Sequence, residues 1–125
     1  MTLLLDTHAL LWWLSDDPRL GQGAREAIAG SPVAVSAVSH WEIEIKRAAG
    51  RLEAPADLRP LLDDLGFTSL AFTAAHAVAA GRLPAHHADP FDRALLAQAS
   101  LEGLRLVTAD AALRAYDTDL LPADR

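Results

Sequence analysis

Apolar residues come along this chain in two kinds of block. Residues 3–5 (Leu3, Leu4, Leu5) are apolar at every position, as expected of a short strand buried on both faces. Residues 33–35, 67–70 and 104–107 read as further strands, and Leu120 and Leu121 as an edge strand. Between these blocks the apolar positions recur at helical spacing. Residues 8–14 place Leu10, Leu11 and Leu14 on one face before Asp16, Asp17 and Pro18 break the pattern. Residues 24–29 form a short helix ended by Gly30, Ser31 and Pro32. In residues 38–49, Val38, Trp41, Ile45 and Ala48 follow a 3.6-residue period and form one apolar face, Trp41 reading as a core or interface residue, with Gly50 as the stop. Residues 58–65 read as a helix capped by Asp57 and ended by Gly66, and Thr73 caps another running to about Ala80, before Gly81. Asp89 and Pro90 are a strong helix start, a capping residue followed by proline at the first helical position. That helix turns Leu95, Leu96 and Ala99 inward and stops at Gly103, and Asp110 caps a last short helix through Leu113. Alternating strands and helices predict a three-layer α/β/α fold with a mostly parallel central sheet. The length, 125 residues, suits a single domain over 1–125.

Composition narrows the functional classes. With 51% hydrophobic residues the chain can bury a core, and no apolar run approaches the ~20 residues of a membrane span. The absence of cysteine excludes disulfides and thiolate metal sites and fits a reducing cytoplasm. No basic segment precedes the first apolar run, so the N-terminus does not read as a signal peptide. A net charge of -6 argues against a general nucleic-acid coat, which needs a basic face, but leaves room for a nuclease that holds phosphate through a cation. Lys46 is the sole lysine among eleven basic residues.

Four acidic residues fall where elements begin or end. Asp6 follows the first strand, Glu42 lies early in the third predicted helix, Asp92 sits near the third position of the helix opened at Asp89, and Asp110 follows the strand ending at Val107. The carboxyl ends of parallel strands share one edge, where ligands bind. Carboxylates gathered there repel one another unless a cation lies between them, which points to a hard divalent metal and phosphate chemistry. Each residue also has a structural explanation when taken alone. Asp6 and Asp110 serve as helix caps. Glu42 completes a capping-box pattern with Ser39 and is spaced for an ion pair with Lys46. Asp92 is favoured by the helix dipole, although Asp89 is the better cap. Arg93 is placed to pair with either acid or to approach a phosphate, and Thr108 to support a carboxylate. His86 and His87 read as a solvated loop, and His8, His40 and His76 as structural. Adjacent Trp12 and Trp13 cannot both face inward from one helix, so one is expected at a protein contact.

Residues 3–12 (Leu-Leu-Leu-Asp-Thr-His-Ala-Leu-Leu-Trp), 36–43 (Ser-Ala-Val-Ser-His-Trp-Glu-Ile), 89–93 (Asp-Pro-Phe-Asp-Arg) and 106–110 (Leu-Val-Thr-Ala-Asp) together resemble PIN-domain proteins of the VapC-like toxin type. The blocks occur in the expected order and cover nearly the whole chain. The resemblance implies a metal-dependent endoribonuclease, a hydrolase acting on RNA phosphodiester bonds, that works as the toxin of a toxin–antitoxin pair. It implies Asp6, Glu42, Asp92 and Asp110 as catalytic residues and ligands of Mg²⁺ or Mn²⁺, with Thr7 and Thr108 supporting the carboxylates and Asp89 and Arg93 at the rim. It also implies a small antitoxin protein as partner and a homodimer. His40 stands where related sequences often carry an apolar residue.

Other readings fit less well. A phosphatase of the haloacid-dehalogenase type needs an aspartate two residues after Asp6, where His8 stands. A response-regulator receiver needs a lysine after a late strand, and Lys46 is far from one. A non-catalytic interaction module on the same fold remains the alternative from a different class, although degenerate relatives usually lose acidic residues and all four are present here.

Overall fold

A computed structural model describes residues 1–125. The chain runs β1 (Leu3–Leu5), α1 (Thr7–Leu14), α2 (Gln22–Gly30), β2 (Val33–Ser36), α3 (Ala37–Ala48), α4 (Leu58–Asp64), β3 (Thr68–Leu70), α5 (Ala74–Arg82), α6 (Pro90–Glu102), β4 (Arg105–Thr108), a 3-10 turn (Ala111–Ala115) and β5 (Leu120–Pro122). Every strand pairing is parallel, and the order is β3-β2-β1-β4-β5. The expected α/β class and parallel sheet are therefore observed, with β1 at the centre.

The strand alternation explains the layers. Leu3 and Leu5 point into one core with Leu10, Ile28, Val33, Val35, Leu58 and Leu62, which come from α1, α2, β2 and α4. Leu4 points the other way, into a second core built largely on Leu95, Leu96 and Ala99 of α6 and Leu106 of β4. Because β1 has helices on both faces, all of its side chains are apolar and buried. α6 begins where Asp89 caps it through the amides of Phe91 and Asp92, with Pro90 at its start, and ends at Gly103, whose φ of 66° is the left-handed stop that glycine accepts readily. α5 runs to Arg82, past Gly81, and packs against α6.

α3 departs from the sequence expectation. It starts one residue earlier, with Ser36 as its cap, so Ser39 and Glu42 lie inside the helix and form no capping box. Its buried face is Val38, Ser39, Glu42 and Ile43, whereas Trp41 and Ile45 are exposed, Trp41 by 62%. The periodic apolar stripe thus points partly outward, and a carboxylate takes part of the inward face. Asp57 stands at the start of α4 without a side-chain capping bond.

A buried polar pair fixes β2 against α6. The Ser36 hydroxyl donates to Gln98 Oε1 (2.5 Å), and Gln98 Nε2 donates to the Ala71 carbonyl (3.1 Å). Both side chains are fully buried. Replacing Gln98 with leucine strands the Ser36 hydroxyl and the Ala71 carbonyl and is expected to cost about 1–3 kcal/mol. Urea unfolding of Gln98→Leu should show a lower midpoint at unchanged slope, and an unchanged midpoint would contradict this role.

Candidate active site

The strand order reverses at β1, with β2 on one side and β4 on the other, and in parallel sheets such a switch point opens a crevice at the carboxyl edge. Asp6 follows β1 and Asp110 follows β4, so topology places both at that edge. Glu42 enters from α3 and Asp92 from the first turn of α6.

Asp6 is only 5% exposed. Its Oδ1 accepts the Ala9 amide (2.7 Å), so the expected cap is present. Capping does not account for its burial. Desolvation pushes the Asp6 carboxyl above the ordinary range, against the lowering effect of a Thr108 hydrogen bond, the Ala9 amide and His8, and the Glu42 charge adds to the rise. No salt bridge to a cationic side chain relieves it. Asp92 is pushed up to about 7, first by burial, then by the charges of Asp89 and Asp6, with His87 opposing and Glu42 contributing. Asp6, Glu42 and Asp89 therefore all lie within electrostatic reach of Asp92.

Glu42 is buried, and both its oxygens are engaged. The Thr7 hydroxyl donates to Oε1 (2.6 Å), leaving the Ser39 hydroxyl, 3.2 Å away, free to donate to Thr7. Lys46 Nζ lies 2.5 Å from Oε2, in the (i, i+4) spacing anticipated from the sequence but as a partly buried pair rather than a surface one.

His87 corrects the expectation of a solvated loop. Its Nδ1 accepts the Asp89 amide (3.0 Å), and its Nε2 lies 2.8 Å from Asp110 Oδ2 and 3.5 Å from Asp92 Oδ2. A neutral ring satisfies both contacts only with the proton on Nε2. The Asp110 hydrogen bond raises the His87 pKa, burial opposes it, and the charges of Asp92, Asp110 and Asp89 add to the rise, while the Asp89 amide donated into Nδ1 favours the neutral ring. Ligand atoms of His87, Asp92 and Asp110 all lie within 4.8 Å of one another. Asp6 and Glu42 stand outside that tight group. Asp110 also caps the 3-10 turn through the Ala112 amide.

Arg93 approaches no carboxylate. Its guanidinium donates to the carbonyls of Ala80, Leu83 and Pro84 (2.9–3.0 Å), tying down the segment that carries His87. Tyr116 supports the same segment, its hydroxyl donating to the Pro84 carbonyl and accepting the His87 amide. The sequence signal for His87 was its place two residues before the Asp89 cap, obscured by its neighbour His86, which packs edge-on against Tyr116 instead. His76 is buried against Glu102 and Gln98, away from the acids, as a structural residue.

The donor set suits a hard divalent cation. The site offers carboxylate oxygens and no sulfur, and Asp6 is a buried carboxylate that its surroundings leave short of positive charge.

Comparison with known proteins places the fold in a family. The PIN domain family pattern matches residues 3–119. The chain is 33% identical over 119 residues to Ribonuclease VapC22 of Mycobacterium tuberculosis, covering 92% of each chain. Its fold is similar to that of VapBC2 from Rickettsia felis bound to a DNA fragment from their promoter, with TM-score 0.69, 17% identity and 97% and 98% of the two chains covered. It is also similar to a toxin–antitoxin complex from Klebsiella pneumoniae, with TM-score 0.67, 19% identity and 97% of each chain covered. The chain belongs to the PIN domain family.

Proposed function

We propose that this chain is a metal-dependent endoribonuclease and the toxin half of a toxin–antitoxin pair. The observation that carries the reading is the pair formed by Asp6, buried without a salt bridge, and Asp92, pushed up to about 7 beside it at the carboxyl edge of the sheet. Similarity to a relative named as a ribonuclease supports the reaction class, and similarity to toxin–antitoxin complexes supports an antitoxin partner.

Asp6, Asp92 and Asp110 would hold Mg²⁺ or Mn²⁺, with Glu42 completing the acidic set. When bound, such an ion supplies Lewis-acid charge at the phosphodiester and a water of lowered pKa. The protein's own groups set the geometry. Thr7 aims Glu42, Thr108 supports Asp6, and Asp89 fixes the start of α6 and so the position of Asp92. His87, held by the Asp89 amide and by a segment that Arg93 and Tyr116 anchor, presents an N–H toward the acids at the mouth of the site.

The exposed side chains suggest where other chains sit. Trp41, Ile45, Phe72 and Val78 are exposed, and Trp41 meets Phe91 edge-on at 5.2 Å beside a groove of about 280 Å³. We assign this apolar face of α3, α5 and α6 to a homodimer. Trp12 and Trp13, both half-buried against the core, are less suited to it, and Arg19 lies over the Trp12 ring.

Incubation of the pure chain with structured and single-stranded RNAs tests the activity. Cleavage is expected with Mg²⁺ or Mn²⁺ and none with EDTA. Asp6→Asn is expected to lower cleavage at least about a hundredfold, as befits loss of a metal ligand, with an unchanged circular dichroism spectrum. Undiminished metal-dependent cleavage by the folded variant would remove Asp6 from the site.

Asp92 also makes a prediction about pH. Its folded pKa of about 7 lies above the ordinary value of ~3.9, so between those values the folded state binds more protons than the unfolded chain. Its contribution to stability is therefore fullest at low pH and is lost as pH rises toward 7. In EDTA, Asp92→Asn should melt above the unsubstituted protein at pH 8 and close to it at pH 4.5. Divalent metal should raise the melting temperature of the unsubstituted protein at pH 8 alone. Parallel melting curves for the two proteins across that range would contradict the assignment.

A further inference from the structure

The four acids are not equally free to take a metal. His87 engages Asp110, and Lys46 engages Glu42. No salt bridge reaches Asp6, and Asp92 has only the longer 3.5 Å contact with His87. Lys46 is the one lysine of the chain, and the neighbouring arginine does not share its role. Arg47 turns to the carbonyls of Ala54 and Pro55 and toward Glu44. The Lys46 side chain is 20% exposed and that of Glu42 5%, so solvent screens the pair only weakly. With Thr7 on one oxygen and Lys46 on the other, Glu42 has its charge neutralised and its orientation set from within the protein.

We infer that Lys46 is a built-in second cation of the active site, occupying Glu42 so that the site takes a single divalent ion, held chiefly by Asp6 and Asp92. This rests on the metal-dependent nuclease reading and deepens it. Nucleases with two metals use the second ion to balance charge on the far side of the phosphate. Here an ammonium fixed to α3 supplies a charge at Glu42 without needing to be bound from solution. An ammonium is a compact point charge, which suits this single-oxygen contact better than the planar fork of arginine. Removing it leaves a buried carboxylate with a hydroxyl as its only remaining partner, a costly state that a second divalent ion relieves.

Direct Mn²⁺ titration of the full chain without RNA, by calorimetry and by the electron paramagnetic resonance of free Mn²⁺, tests this independently of activity. The unsubstituted protein is expected to bind one Mn²⁺ per chain and Lys46→Met two. The double variant Glu42→Gln/Lys46→Met removes both charges and protects the test against misfolding of the single one. It is expected to return to one ion, bound within about threefold of the unsubstituted affinity. Two ions in the unsubstituted protein, one in a folded Lys46→Met, or loss of the ion in the folded double variant would each overturn the inference while leaving a metal-dependent nuclease in place. Absence of Mn²⁺ binding in all three proteins would instead overturn the nuclease reading on which it rests.

Discussion

A carboxylate buried at the end of the central strand is the constraint around which this molecule is arranged. Asp6 lies where β1 leaves the sheet, with cores on both faces behind it and other acids in front. Burying one charge without a partner is costly, and bringing a second toward it raises the cost. The Ala9 amide and Thr108 reduce that cost without removing the charge. The fold therefore carries an electrostatic tension at one place, and that place is the switch point of the sheet. A well-packed scaffold is what allows it: the residues behind the site, among them Leu4, Leu5, Leu106 and Val107, are fully buried.

The surrounding polar groups fall into two sets with different tasks. Thr7, Ser39, Ser36 and Gln98 are uncharged and buried, and they set the angles at which α3 and α6 present their acids. Lys46 and His87 place positive character on the two outer acids, Glu42 and Asp110. This division leaves the central pair, Asp6 and Asp92, as the electrostatically least satisfied part of the site. An arrangement with every acid paired would be more stable and would have little to offer a metal.

Much of this was legible in the sequence, and the parts that were not share a physical cause. Short apolar runs announced the strands because a parallel sheet covered on both faces needs apolar side chains at every position. Asp89 and Pro90 announced α6 because capping is local chemistry. The inward face of α3 was not legible from hydrophobic periodicity, since Trp41 and Ile45 point outward while Glu42 and Ser39 point inward. Periodicity locates a core-facing stripe only when apolar surface has no other use, and here a charged site claims the inside of the helix. The apparent capping box failed for a related reason, as Ser36 starts the helix first. Arg93 and His87 both depart from their expected roles because their contacts span loops: backbone carbonyls claim the arginine, and the histidine reaches the acids.

The outward turn of Trp41 and the inward turn of Glu42 are then two consequences of one choice. On a helix, adjacent residues lie about 100° apart, so with Glu42 and Ile43 both turned inward, Trp41 on the other side of Glu42 is carried toward solvent. An exposed tryptophan beside a groove with Phe72 and Phe91 is a poor surface for an isolated chain and a good one for a second subunit. The exposed apolar face of α3 thus follows from the placement of its acids. The helix that brings Glu42 to the site also carries, one residue away, the most exposed of the tryptophans.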